Sequence, residues 1–424
     1  MTLLKTSIWN GLAVGVRMVS ALAVNKILAI LVGPSGYALI GQFQNGITIL
    51  IAFATGALGT GVTKYTAENH ESHDIQVRLW RTAGSITLIA SVASAIVVAI
   101  AREPLARLLL DDTKYSSVFL WLSGALVLIG LNALLLAILQ GRKELRRYVF
   151  SGIAGSLIGL LVTIGLSFKL GLYGALVALT ISQALTFFVT FQQCVTTKWF
   201  YWRDLFGRID AEFSIKLWRY VLMAAATAVA GPASLIAVRI HLSESFGIDY
   251  AGYWDAMWKI SALYLSFITT TLSLYYLPRI SEIKSARELR SEIFKGFRLV
   301  VPVVALLSFA IYLLRGFIVT TLLTEDFLPM QTLFAWQMMG DVVKIASWIL
   351  AFVMLGRAMT ALFIATELIS SALFWLATVI LTPLLGFQGV AVAHLITYLI
   401  YFLILFLSVF RKIERDSAVG ELTP

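Results

Sequence analysis

The chain has 424 residues, of which 59% are hydrophobic and only 13% charged, whereas an ordinary soluble domain is about 25% charged. This excludes a soluble enzyme or nucleic-acid-binding domain: the net charge of +10 has no basic soluble domain to sit on and fits Lys- and Arg-rich loops between membrane helices. One cysteine, Cys194, and four histidines without a His-Glu-x-x-His motif exclude an intramolecular disulfide and leave metal chemistry without support.

Hydropathy predicts an all-α polytopic membrane protein with about 12 transmembrane helices. The spans fall at approximately 7–32, 37–62, 82–101, 116–139, 148–168, 171–196, 214–239, 250–277, 297–314, 330–355, 359–381 and 386–410. Most reach the ~20 apolar residues that a bilayer core of ~30 Å requires, and the third and ninth are the shortest. The first span is too long and polar for a signal peptide and lacks a small-x-small cleavage site, so it reads as a permanent helix. With a cytoplasmic N-terminus, 23 of the 33 basic residues fall on the cytoplasmic side, six on the other, and Arg17, Lys26, Lys259 and Lys344 inside spans. That bias places both termini in the cytoplasm.

The longest loops, near 63–81, 197–213 and 278–296, are cytoplasmic in this reading. Residues 281–295 read as an amphipathic helix on the membrane surface or a solvated connector, and the tail from 418 as unstructured. Sliding the sequence by 215 lays 36–50 over 251–265 and Lys64 over Arg279. This weak repeat predicts two six-helix lobes of the same orientation around a central cleft. The lobes are 1–198 and 214–424, joined by a cytoplasmic linker at 199–213.

The intramembrane charges carry the functional argument, because a charge at the bilayer centre costs at least ~2.5 kcal/mol and needs a partner, a wet cavity or a ligand. Arg17 lies about 15 Å into the first span and has no acidic neighbour on its own helix; it serves either a ligand or a pair between lobes. Lys26 can snorkel to the outer interface. Asp255 and Lys259, four apart, and Asp341 and Lys344, three apart, can each satisfy one another along a helix. Glu367 stands alone on its span and can pair with Lys344 or carry a proton. His394 reads as a hydrogen-bonded packing residue, and Trp254, Trp258 and the 199–202 aromatics as interfacial anchors. No Gly-x-x-x-x-Gly-Lys-Ser/Thr loop occurs, so ATP hydrolysis is not intrinsic.

Five stretches carry a family resemblance: Gly33-Pro34-Ser35-Gly36-Tyr37, Gly61-Val62-Thr63-Lys64-Tyr65, Tyr275-Tyr276-Leu277-Pro278-Arg279, the run from Leu333 to Lys344, and Ala365-Thr366-Glu367. Over essentially its whole length the chain resembles the Wzx-type O-antigen and enterobacterial-common-antigen flippases. The resemblance implies the fold of the multidrug/oligosaccharidyl-lipid/polysaccharide exporter superfamily in a bacterial inner membrane. It also implies a non-enzymatic flippase for an undecaprenyl-diphosphate-linked oligosaccharide, coupled to H+ or Na+, without a cofactor and without nucleic acid. Polysaccharide polymerase and chain-length regulator proteins would be its partners, alongside membrane lipid. On this reading Arg17, Lys26, Lys64, Lys259 and Lys344 bind substrate, and Asp341, Glu367 and Asp255 couple the ion. The rival readings are a small-molecule antiporter of the same superfamily and a membrane glycan polymerase or ligase, which normally carries a large outer loop; here outer loops reach at most about 15 residues.

Overall fold

The computed structural model describes residues 3–272, 276, 279–280, 283, 285–357 and 359–418, and these are helical nearly throughout. The tail from 419 and Tyr275, Leu277 and Pro278 of the third resemblance motif lie outside the described residues. The helices in chain order are α1 (Leu3–Ala54), α2 (Gly59–Glu68), α3 (His73–Ile100), α4 (Arg102–Leu110), α5 (Ser116–Gly141), α6 (Leu145–Val195), α7 (Ala211–Phe246), α8 (Ile248–Thr271), α9 (Ala286–Leu313), α10 (Arg315–Leu322), α11 (Phe334–Gly356), α12 (Thr360–Leu385) and α13 (Gly389–Ala418).

Seven stretches among the described residues are apolar and long enough to cross a membrane, and three of these, Val14–Ala54, Leu145–Val195 and Thr360–Ser417, are long enough to cross twice. Each of the three is broken once by a glycine with positive φ: Gly33 (φ 64°), Gly171 (φ 58°) and Gly386 (φ 64°). A side chain there would be strained, and Pro34 restarts the helix after Gly33 with its φ already set. Counting these halves separately and adding α7 and α8, which Gly247 (φ 100°) divides, gives the twelve spans expected.

Two expectations about helix ends are corrected. The third and ninth spans start well before their apolar runs, at His73 and Ala286, and both are 28 residues long. Residues 286–295 are therefore the first turns of α9 and not a separate surface helix. Ala286, Leu289 and Ile293 bury their side chains in an apolar core with Ile349, Val353 and Ile413. Hydropathy missed these turns because their other face is charged and ion-paired: Arg279 with Glu288 at 2.7 Å and Arg290 with Glu414 at 2.9 Å. In α3, Arg78 and Arg81 likewise reach Asp210 (3.7 Å) and Asp204 (3.1 Å).

The chain divides into two compact units, 1–233 and 234–424. In the first, the core is built from α2, α3, α5 and α6 around Trp80, whose indole N–H donates to Thr66 Oγ1 at 3.0 Å. The first turns of α7, which hydropathy assigns to the C-terminal lobe, add Phe213 and Leu217 to this core. In the second unit, α11 packs against α13 and α9, and α12 against α13, which surrounds one face of α11 with other helices. That face carries Gln337, Asp341 and Lys344, all buried.

Candidate functional site

Asp341 is fully buried, yet both of its oxygens are engaged. Oδ1 receives His394 Nε2 at 3.0 Å and Gln337 Nε2 at 3.3 Å, and Oδ2 receives the Tyr264 hydroxyl at 2.9 Å. The network continues outward through Ser308 Oγ, 3.1 Å from the Tyr264 hydroxyl, and Ser261 Oγ, 3.3 Å from Gln337 Nε2. Three donors thus replace the water the carboxylate lost, which a buried acid requires. Facing an ionised carboxylate, His394 Nε2 carries the hydrogen, and Nδ1 is left buried without a partner as an acceptor. The residue before the aspartate makes this approach possible: a Cβ on Gly340 would lie 2.3 Å from His394 Cδ2.

Lys344 does not pair with Asp341. Its Nζ lies over three aromatic rings, Trp258 at 4.5 Å, Trp348 at 5.1 Å and Tyr398 at 5.2 Å, and among the described residues no carboxylate comes within ion-pair distance. The ring faces attract the ammonium electrostatically, while the acceptor positions of Asp341 are already filled. Glu367 is half-buried and accepts a hydrogen bond from the Tyr401 hydroxyl at 2.9 Å. Tyr398 stands between these groups, 4.8 Å from the His394 ring and 6.1 Å from Tyr401. Asp341, Lys344 and Glu367 therefore belong to one neighbourhood, linked by aromatic side chains and not by direct contact.

A second buried cluster lies on α7 and α8. Asp255 pairs with Lys259 at 3.0 Å, as its spacing predicts, and also with Arg239, which as the last residue of the predicted seventh span counts by hydropathy among the six basic residues of the outer side. The correction follows from α7, which continues to Phe246 and carries Arg239 inside the helix with a side chain only 3% exposed. Two of its nitrogens, Nε and Nη1, have no hydrogen-bond partner, and its guanidinium lies 5.4 Å from the Trp254 ring centre. Trp254 is fully buried and, with the lysine-facing Trp258, belongs to this interior; neither is an interfacial anchor. No feature of the 239 segment alone marks Arg239 as a partner of Asp255. The polar run after it, His241 to Ser245, imitates a loop.

The remaining candidates lie in the first unit. Arg17 is exposed on α1, and among the described residues it makes no ion pair. Lys26 is half-buried on the same helix. Lys64, on α2, pairs with Glu68 at 3.6 Å, four residues on, and lies over the Tyr65 ring at 5.4 Å; this is an exposed helical pair of small energetic value. Among the described residues no group of three metal-ligating side chains occurs.

The fold matches solved membrane transporters of the MOP superfamily: an inward-facing multidrug resistance MATE family transporter at TM-score 0.81 and 14% identity, covering 96% of both chains, and a MOP superfamily transporter from Pyrococcus furiosus at TM-score 0.72 and 15% identity, covering 97% of this chain and 96% of that one. The family described as polysaccharide biosynthesis protein matches residues 3–284. The lipid III flippases of Escherichia coli (strain K12) and Shigella flexneri are each 32% identical over 399 residues, 94% of this chain and 96% of theirs. The chain belongs to this polysaccharide biosynthesis family.

Proposed function

We propose that this protein is a flippase. It moves an undecaprenyl-diphosphate-linked oligosaccharide from the cytoplasmic to the periplasmic leaflet of a bacterial inner membrane by alternating access, with both termini cytoplasmic. The observation that carries this reading is the 32% identity to lipid III flippases over nearly the whole of both chains. Charge supports it: away from the charged, ion-paired helix ends, the cations along the apolar runs, with Arg239, number five (Arg17, Lys26, Arg239, Lys259, Lys344) against three carboxylates, Asp255, Asp341 and Glu367. A lipid diphosphate brings about two negative charges, and guanidinium or ammonium groups can replace its water through charge-assisted hydrogen bonds. The same excess disfavours the rival antiporter of cationic drugs, to which the MATE-like fold otherwise lends support.

In this reading Lys344 and Lys259 receive the phosphates, because each can move without leaving a bare carboxylate. Lys344 leaves only aromatic rings, and Lys259 leaves Asp255 still held by Arg239. Arg17, Lys26 and Lys64 are the substrate-binding candidates of the first unit. Glu367 and Asp341 handle the driving ion, H+ or Na+; Glu367 has one protein donor and is the more open of the two. The chain acts as a transporter without catalytic activity, and a polymerase and a chain-length regulator take up its product.

Leaflet-resolved tracking of labelled lipid-linked oligosaccharide tests the proposal in cells with and without the protein. Accumulation of the label in the cytoplasmic leaflet on deletion is expected. An unchanged leaflet distribution together with new susceptibility to cationic drugs would overturn it in favour of the antiporter.

A further inference from the structure

A cavity of about 660 Å³ opens at the ends of α11 and α13 and the start of α12, lined by Arg357, Arg411, Lys412, Arg415 and Asp416 among others. It lies on the second unit but far from the site above: Arg411 is 17 residues beyond His394 on α13, about 25 Å along the helix. The acids on this last stretch of α13 are already engaged, Glu414 by Arg290 at 2.9 Å and Asp416 by Lys412 at 2.7 Å. Arg411 and Arg415 are left without an ion pair among the described residues. Four residues apart, they share a helix face, and like charges at that spacing repel.

Facing them, Arg357 is anchored at the end of α11 by a hydrogen bond to the Ile283 carbonyl, while its Nε is buried with no partner. Met359 and Leu362 add an apolar wall. The matching place in the first repeat has no such deficit. Arg142, 215 residues before Arg357, donates to Gln76 Oε1 at 2.7 Å and lies 4.9 Å from the Trp199 ring centre. The basic cavity of the first unit, with Arg78 and Arg81, is compensated by Asp210 and Asp204.

We infer that this cavity is a phosphate-binding site for the headgroup of an anionic phospholipid. The two unpaired guanidinium groups and Arg357 supply donors for phosphate oxygens, and the apolar wall accepts the start of a lipid chain. The location selects lipid over free phosphate: the basic turns follow directly on the apolar, membrane-length run of α13, where the headgroups of a bilayer would meet them, and basic pockets between helix ends favour anionic headgroups. The inference is independent of the flippase reading, because it concerns binding at rest.

The test uses the full-length protein, purified and delipidated in detergent, with unfolding temperature as the readout. Phosphatidylglycerol should raise that temperature by about 3 °C or more, while phosphatidylcholine and inorganic pyrophosphate should not. The gain should disappear in Arg411→Gln/Arg415→Gln, whose side chains are exposed, and survive in Arg411→Lys/Arg415→Lys and in Arg208→Gln of the first unit. A gain from phosphatidylglycerol that persists in the double glutamine variant would overturn the site. A gain from pyrophosphate alone would overturn the lipid assignment, and equal gains from phosphatidylglycerol and phosphatidylcholine would overturn both.

Discussion

Gly340 has no side chain where one would collide with the imidazole of His394, so its neighbour Asp341 can accept a hydrogen bond from another helix. Gly340→Ala should therefore cost about 1–3 kcal/mol by overpacking, and much of that loss should be recovered in Gly340→Ala/His394→Ala, because the two sites share one contact; additive losses in thermal unfolding would contradict this account. Lys344 gives a second prediction. Lys344→Gln should fold but lose most oligosaccharide flipping, and Lys344→Arg should keep part of it, since charge and ring contacts survive while the shape changes; full transport by the glutamine variant would remove Lys344 from the substrate path. The carboxylates are separated by a third measurement. Glu367→Gln, a fixed mimic of the protonated acid, should still bind lipid-linked oligosaccharide but lose its dependence on an imposed pH gradient. If Glu367→Gln and Asp341→Asn both transport with unchanged pH dependence, the network is structural. Asp341 and Lys344 are visible in the sequence as charges interrupting an apolar run. Gln337 and Trp348 lie four residues from them on the same helix, whereas Tyr264, His394, Trp258 and Tyr398 come from other helices and no spacing within α11 points to them.

At the scale of helices, the glycine breaks recur at a constant separation. Gly33 and Gly247 are 214 residues apart, Gly171 and Gly386 are 215 apart, and α3 and α9 start 213 apart. Residues 171–178 and 386–393 both read Gly-x-x-Gly-x-x-Val-Ala, so the repeat is written in the sequence at the breaks even where the spans between them have drifted. The two glycines of this motif do different things. Gly171 and Gly386 have positive φ and nothing within 4 Å of a would-be Cβ, whereas Gly174 and Gly389 abut the carbonyls of Leu166 and Leu381, at 2.0 and 2.6 Å. Alanine at 171 or 386 should cost roughly 1–2 kcal/mol of backbone strain each, and alanine at 174 or 389 should cost more, since backbone must move. Thermal unfolding of the four variants checks the ranking, and equal losses would refute it. Apolar runs locate helices well and their ends poorly, because helices such as α3 and α9 carry charged, ion-paired turns beyond the apolar run.

For the whole molecule, the Arg- and Lys-rich segment after α5 tests the proposed orientation: Arg142, Lys143, Arg146 and Arg147 should stay in the cytoplasm. The only native cysteine, Cys194, is buried, which makes the exposed position in Lys143→Cys a clean probe; labelling by an impermeant thiol reagent from outside intact cells would invert the proposed topology. Composition suffices to read the multi-pass helical fold from sequence, while the Arg239–Asp255 pair, which depends on where α7 ends, is not legible there. The aromatic enclosure of Lys344 has one more consequence. Two of the eleven tryptophans, Trp258 and Trp348, share a single ammonium ion, so their excited-state dipoles sit in a field that changes as soon as the lysine turns toward a phosphate. The chain thereby carries its own optical reporter, and a shift in indole emission on adding lipid-linked oligosaccharide, absent in Lys344→Gln, would time the departure of that cation without any attached dye.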